Sequence, residues 1–363
     1  MLAVGIIGLP NTGKSTLFNL LTAGDAEVSA YPFTTIDGNV GMVPVPDPRL
    51  ERLRQLLEPE ETTPCRLRFV DIAGLVAGAH KGEGLGNRFL GEIRKVDVLA
   101  HVLRCFASPE VAHVTGTVDP VRDAGIVETE LALADLELVE KAVEKRRRQA
   151  KSAPAHAAAE LERLAALAAC LERGEALRSL GLDEAAVRET KALGLLTGKP
   201  QIYVANIGEE QMDDPEGVLA AIAGTGGDGQ PPEAVAISAK IEWELLQLDA
   251  DERAEFMSEL GILTSGLDRL VEASFRHLGL IRFYTVAHGK LRAWEITDGS
   301  SAGEAAGRVH TDMERGFVRA QVTGAEELLE AGSLQELHRH GRLRTEGRGY
   351  RVVDGDVIEF LFT

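Results

Sequence analysis

Residues 8–15 read Gly8-Leu9-Pro10-Asn11-Thr12-Gly13-Lys14-Ser15, the complete G-x-x-x-x-G-K-S spacing of a phosphate-binding loop. Its flanks give the spacing weight. The apolar run Leu2-Ala3-Val4-Gly5-Ile6-Ile7 before it reads as a buried strand, and Leu17, Phe18, Leu20 and Leu21 follow at helical spacing. Strand, glycine-rich turn and helix N-terminus together aim backbone N–H groups and the positive end of a helix dipole at an anion. Asn11, Thr12, Gly13, Lys14, Ser15 and Thr16 are therefore expected around a nucleotide's phosphates. Lys14 is expected to neutralise the β and γ phosphates and so to serve catalysis, and the Ser15 hydroxyl to ligate Mg²⁺.

A second motif completes the first. Leu67-Arg68-Phe69-Val70-Asp71-Ile72-Ala73-Gly74 is an apolar strand ending in D-x-x-G. Asp71 there can hold Mg²⁺, and the Gly74 N–H can meet the γ-phosphate. Between the motifs, Tyr31-Pro32-Phe33-Thr34-Thr35 reads either as a plain turn or as a segment whose threonine completes the Mg²⁺ shell.

Further apolar runs at 40–45, 98–103, 202–206 and 235–238 alternate with helix-length segments. Being apolar on both faces, they suit an α/β architecture with a largely parallel, doubly covered sheet. The sequence has 363 residues, 39 Lys+Arg, 57 Asp+Glu and a net charge of −18. That length predicts two or three domains, and 44% hydrophobic with 26% charged residues excludes disordered and fibrous classes. Such acidity opposes coating of nucleic acid or anionic membrane by the overall field, while leaving room for a local basic patch. Cys65, Cys105 and Cys170 lack metal-ligand spacing and are expected to be reduced, in a cytoplasmic protein. The N-terminal run reads as a strand rather than a signal peptide, and no apolar run is long enough to span a membrane.

Between about 128 and 196 the alternation stops and Ala, Leu, Glu and Arg dominate. Ala157, Leu161, Leu164, Ala168 and Leu171 repeat with coiled-coil spacing, and Ala132, Leu136, Val139 and Val143 form a broader stripe before Pro154. The expected unit is an inserted arm of two antiparallel helices, although two ordinary packed helices share the pattern. After about Leu280 the texture becomes short strands and glycine-rich turns, with Asp298-Gly299 as a hairpin-type signal. The domains expected are thus 1–127 with 197–280, the arm 128–196, and a small β-rich domain 281–363. The last holds 11 basic and 13 acidic residues, and its stretch 338–351 carries five arginines against Glu346.

On these motifs, together with Tyr31–Gly41, the glycine-rich run Asp71–Asn87 and the tail Ile296–Thr363, the chain resembles the YchF subfamily of Obg-like P-loop NTPases. The resemblance covers essentially the whole chain. It implies a G-domain-like sheet, the helical arm and a C-terminal β-grasp-like TGS domain. It also implies Thr35, rather than Thr34, as the Mg²⁺ ligand. Tail positions carrying the likeness include Ser301–Ala306, Val309-His310-Thr311-Asp312 and Asp354–Ile358.

GTPases read guanine with Asn-Lys-x-Asp, but here the corresponding strand ends Asn206-Ile207-Gly208-Glu209. Asn206 can pair with the N6/N7 edge of adenine, and the family sharing this Asn-x-x-Glu pattern prefers or accepts ATP. Against that stands Ser238-Ala239-Lys240, which resembles the GTPase loop whose backbone N–H donates to guanine O6. Dual use with ATP favoured is the expectation, with Asn206, Glu209, Ser238 and Ala239 around the base.

The usual water-orienting glutamine is replaced by Leu75, so hydrolysis needs another group or a partner. His80 and His113 are the candidates, and the resemblance favours His113. Asn11 is either a turn residue or, as in relatives with this loop, part of a K⁺ site that replaces an arginine finger.

The expected activity is therefore Mg²⁺-dependent hydrolysis of ATP, with GTP also accepted, in a monomeric, ribosome-associated switch. Lys145–Arg148 on the arm and the tail patch are the candidate contacts to RNA, and the resemblance points to the large ribosomal subunit. A GTP-specific translation factor and a nucleotide-binding module with negligible turnover are the alternatives. The D-x-x-G switch does not suit a metabolic kinase.

Overall fold

The computed structural model describes residues 2–23, 39–74, 85–108, 111–149, 154–223 and 232–363. Contacts divide them into two compact units: Met1–Gly41 with Arg68–Leu270, and Met42–Leu67 with Val271–Thr363.

The first unit is built on the expected sheet. Its strands are β1 (Ala3–Ile7), β2 (Val40–Pro44), β4 (Arg66–Asp71), β5 (Val98–Arg104), β6 (Gln201–Asn206) and β7 (Ala234–Ile237), in the order β2-β4-β1-β5-β6-β7. Strands β4, β1, β5, β6 and β7 pair in parallel. Every residue of β1, β5 and β6 is buried, which is why these runs are apolar without alternation. Helix α1 (Lys14–Ala23) buries Leu17, Phe18, Leu20 and Leu21. From β1 the chain order runs to β4 on one side and β5 on the other, so the crevice outside their C-terminal ends is the sheet's switch point. All six predicted strand runs appear as strands of this sheet.

The helical insertion begins earlier than the composition shift. One helix, α4 (Pro120–Gln149), runs through position 128 without a break and is followed by α5 (Pro154–Glu172). Ala132 and Val139 pack with Leu164, Leu167 and Leu171, while Arg146 near the end of α4 pairs with Glu160 near the start of α5. The two are therefore antiparallel, as expected. Leu167, absent from the predicted seam, is buried at its centre. At the root, Asp135 accepts hydrogen bonds from Leu196 N, Thr197 N and Thr197 Oγ1, at 2.8, 2.8 and 2.7 Å. Burial pushes this carboxyl up, and those donors offset the cost.

The second unit holds β8 (Leu280–Ala287), β9 (Lys290–Thr297), β10 (Phe317–Gly324), β11 (Arg344–Glu346) and β12 (Asp356–Phe362), plus β3 (Glu61–Thr63) from far upstream. Their order is β11-β10-β12-β8-β9-β3. β12 and β8 lie parallel in the middle, and the neighbouring pairs β10–β12 and β8–β9 are antiparallel. Helix α11 (Ala302–Val309) lays Ala302, Ala305 and Ala306 on Phe283, Val322 and Ile358, giving the grasp-like sheet expected.

Two details differ from expectation. The hairpin between β8 and β9 turns at His288-Gly289, both with positive φ (50° and 72°), whereas Asp298-Gly299 leads into α11. The chain cannot return as a strand there, because Ser301 caps that helix and Glu304 reaches back to Ser301 N. Residues 42–67, assigned by sequence to the NTPase domain, belong to this second unit. Helix α2 (Pro48–Leu57) packs on α13 (Ala325–Ala331). Asp47 caps α2 and also accepts from Tyr284 Oη at 2.8 Å, Arg49 pairs with Asp354 at 2.7 Å, and Glu60 N donates to Gly289 O at 2.7 Å. These contacts join positions hundreds of residues apart, which no local pattern announces.

Candidate functional site

Four loops meet at the C-terminal edge of the first sheet. They follow β1, β4, β5 and β6, and the start of α8 (Ala239–Gln247) after β7 closes the group. The phosphate loop follows β1. Gly13 has φ 95°, and a Cβ there would lie 2.3 Å from Asn206 Nδ2, so only glycine fits. Lys14 is buried and donates from Nζ to Leu9 O at 2.7 Å. Burial lowers its pKa from 10.5 to about 8, with Asp71 pulling the other way. Gly74 comes so close that a Cβ would stand 3.0 Å from Lys14 Nζ, placing the D-x-x-G glycine on the phosphate loop.

Ser15 Oγ donates to Asp71 Oδ2 at 2.8 Å, so the two residues expected to hold Mg²⁺ are in direct contact. Asp71 Oδ1 is a buried oxygen without a hydrogen-bond partner. One carboxylate and one hydroxyl, both hard oxygen donors, fit a Mg²⁺ ion that takes its other ligands from phosphates and water. Among the described residues no group of three or more His, Cys, Asp or Glu forms a complete metal cage. Thr35, the third expected ligand, lies outside the described residues, as do Leu75 and His80.

A cavity of about 560 Å³ opens beside the phosphate loop. Asn11, Gly13 and Thr16 of the phosphate loop and helix α1 line it together with Asn206, Glu209, Ser238, Ala239 and Lys240. Asn206 is half committed: its Nδ2 donates to Thr12 O at 2.9 Å, tying the end of β6 to the phosphate loop. Thr12 itself turns inward, its hydroxyl donating to Leu9 O at 3.0 Å, so only its backbone is left for phosphate. Glu209 is paired with Lys240, which holds the Lys240 ammonium above its usual pKa. The Ser238 hydroxyl is buried and without a hydrogen-bond partner.

The β5 loop supplies a wall that sequence reasoning missed, formed by Phe106, Ala107 and Val111. It also carries His113. The side chain of His113 is only 4% exposed, with Nε2 2.8 Å from Asp123 Oδ2, an ion-pair approach without aligned hydrogen-bond geometry. Thr115 N donates to His113 Nδ1 at 3.2 Å. Asp123 is shared with Arg122, whose Nη2 lies 2.8 Å from Oδ1. The two ring nitrogens of the expected catalytic histidine thus face Thr115 of its own loop and Asp123 in the first turn of α4. Asn11 has φ 61°, and its Nδ2 donates to Ala112 O at 3.2 Å, so it serves a left-handed turn and tethers the same loop.

The tail patch is also partly committed. Arg339 pairs with Glu336, Arg344 approaches Asp356 at 3.4 Å, and Arg348 and Arg351 donate to the carbonyls of Glu314 and Gly299.

Phosphate loop, D-x-x-G strand and a base-sized cavity on one parallel sheet define a P-loop nucleoside triphosphatase with a G-type domain. Residues 3–147 match the family profile described as a 50S ribosome-binding GTPase, and residues 280–363 match the YchF-GTPase C-terminal profile, described as a protein of unknown function. The chain belongs to the YchF family. It is 45% identical to the ribosome-binding ATPase YchF of Bacillus subtilis, with 99% of each chain covered. It is 42% identical to the protein of that name from Haemophilus influenzae, covering 99% of this chain and 98% of the relative. The structure of the Schizosaccharomyces pombe YchF GTPase superposes with a TM-score of 0.88 at 31% identity, covering 99% of this chain and 97% of that one.

Proposed function

We propose that the chain hydrolyses ATP in preference to GTP and acts as a nucleotide-dependent switch on the ribosome. The observation that carries the hydrolytic reading is the cluster of Lys14, Ser15, Asp71 and Gly74 at the head of α1. Ser15 and Asp71 would hold Mg²⁺, which neutralises charge on the β and γ oxygens when bound. Lys14 meets the same oxygens, and the amides of residues 11–16 cradle them. The relatives' name, ribosome-binding ATPase, supports both the nucleotide and the partner.

For the base, the free side of the Asn206 amide suits the adenine N6/N7 edge. An unpartnered Ser238 hydroxyl can accept from an amino group or donate to a carbonyl, so it meets either purine. Among the described residues that line the cavity there is no aspartate to reward guanine, and Glu209 is occupied by Lys240. Direct competition of ATP and GTP in a calorimeter tests the preference; GTP binding tenfold tighter, about 1.4 kcal/mol, would overturn it.

His113 is the group we assign to water, acting after its ring leaves Asp123. With both nitrogens engaged, the free protein turns over slowly and a partner that reorders the loop accelerates it. His113→Ala keeps nucleotide binding and loses at least about tenfold in turnover, roughly 1.4 kcal/mol of barrier. Steady-state hydrolysis with and without ribosomes, and with isolated large subunits, tests the partner. No acceleration by either would sink the ribosome-coupled reading. Rates in K⁺ against Na⁺ test whether Asn11 also serves a cation. The division of labour we infer is nucleotide hydrolysis in residues 1–41 with 68–270, which also carry the arm, and partner contact by the arm and by the TGS-type unit of residues 42–67 with 271–363, in a cytoplasmic monomer.

A further inference from the structure

Arg104 closes β5 and is one of the largest fully buried side chains, 1% exposed. Burying an arginine is expensive and is usually offset by a carboxylate. Here the hydrogen bonds found among the described residues run to backbone carbonyls of a single loop. Nε donates to Phe106 O at 3.1 Å, Nη1 to Val111 O at 3.0 Å and Nη2 to Ser108 O at 3.4 Å. The guanidinium carbon also sits 4.8 Å from the centre of the Phe106 ring. Only a planar fork with several fixed donors can serve carbonyls spread in this way, and a lysine ammonium could not span them.

The β6 pairing ends with Cys105 N donating to Asn206 O at 2.9 Å. Beyond it, the described residues of the loop are held by Arg104, by Gln211 Nε2 donating to Cys105 O at 2.9 Å, by Asn11 Nδ2 donating to Ala112 O, and at its far end by His113 beside Asp123. Its residues Phe106, Ala107 and Val111 line the cavity together with Asn206, Glu209 and Ser238. Ser15 and Asp71 are not among the described residues that line this cavity.

We propose that Arg104 is the positioning residue for the base-side wall of the nucleotide cavity, setting affinity for the nucleoside part of the ligand and not for its phosphates. The assignment rests on the reading of this cavity as a nucleotide site. The fork pre-organises the wall, so the ligand does not have to order it on binding. Because the wall packs on the base without reading its edge, ATP and GTP depend on Arg104 equally.

The test uses the full chain carrying Arg104→Met or Arg104→Lys, with far-ultraviolet circular dichroism and thermal melting to check folding. Calorimetry then measures binding of ATP, GTP and inorganic triphosphate in Mg²⁺. Arg104→Met should weaken ATP and GTP at least tenfold while leaving inorganic triphosphate within twofold of the wild type. Arg104→Lys, which keeps charge and bulk but not the fork, should show the same selective loss at smaller size. Phe106→Ala should reproduce the pattern with Arg104 intact. Equal weakening of all three probes would mean that Arg104 only supports the domain, and unchanged nucleoside triphosphate binding in both Arg104 variants would end the proposal. If the wild type fails to bind ATP and GTP, the nucleotide reading itself falls, an outcome distinct from the other two.

Discussion

The phosphate loop with its D-x-x-G partner and the cavity beside it are built in opposite ways. At the phosphate end the functional groups face one another directly: Ser15 on Asp71, and Lys14 beneath Gly74. Apart from the D-x-x-G strand they come from one continuous loop and the helix it starts. At the base end the polar side chains are largely spent on the protein itself, Asn206 on Thr12 O and Glu209 on Lys240. The wall there is held by Arg104 from behind. Charge at the first end serves phosphates, while shape at the second serves a nucleoside of either base, and each end needs a different kind of scaffold.

The comparison breaks most visibly at Lys14. Lys14→Ala removes charge-assisted hydrogen bonds to two phosphates, about 3 kcal/mol, and should cost on the order of a hundredfold in affinity for ATP and inorganic triphosphate alike. Equal loss for both probes is the mark of the phosphate end, and calorimetry reads it.

The same lysine gives a pH dependence. Burial holds Lys14 near pKa 8 in the free protein, so below pH 8 it is already charged and above it must take up a proton to meet phosphate. Affinity should therefore fall about fivefold from pH 8 to pH 9, with proton uptake on binding visible in buffers of different ionisation heat. Linkage has the reverse sign for folding. The unfolded chain, with Lys14 near 10.5, binds more protons between pH 8 and 10.5, so this group adds stability to the ligand-free fold as pH rises through that window.

Asn206→Ala sharpens the boundary between the two ends, since this residue touches both. Losing its bond to Thr12 O costs about 1 kcal/mol, or roughly threefold to fivefold in binding. A change in the ATP to GTP ratio beyond that common loss measures how far the remaining amide edge reads the base. Smallest is Lys240→Ala. The pair with Glu209 is well exposed, so overall affinity should move by less than about threefold in competition binding, with any change confined to base preference.

Legibility in the sequence follows the same division. The phosphate loop, the D-x-x-G strand and the six strands of the first sheet could be read because each is a short, contiguous pattern with a fixed period. The arm was legible as two antiparallel helices, but its true start at Pro120 was hidden, since the helix buries Asp123, Ala124 and Val127 in the body before the composition changes. Arg104 gave no signal: a lone arginine after an apolar strand reads as a solvent-facing end. His113 was legible as a residue type, yet only the fold reveals Asp123 against its ring.

The phosphate-loop and D-x-x-G motifs and the architecture of the sheet that presents them were legible in the sequence alone. Both rest on local rules, the glycine-rich turn at a helix N-terminus and the apolar strand buried on two faces. That residues 42–67 join the C-terminal unit, that Asn206 spends a donor on the phosphate loop and that Arg104 bonds the carbonyls of the loop lining the cavity emerged with the folded chain. Those choices turn on pairing buried polar groups with partners remote in the chain, and a partner's position exists only once the chain has folded.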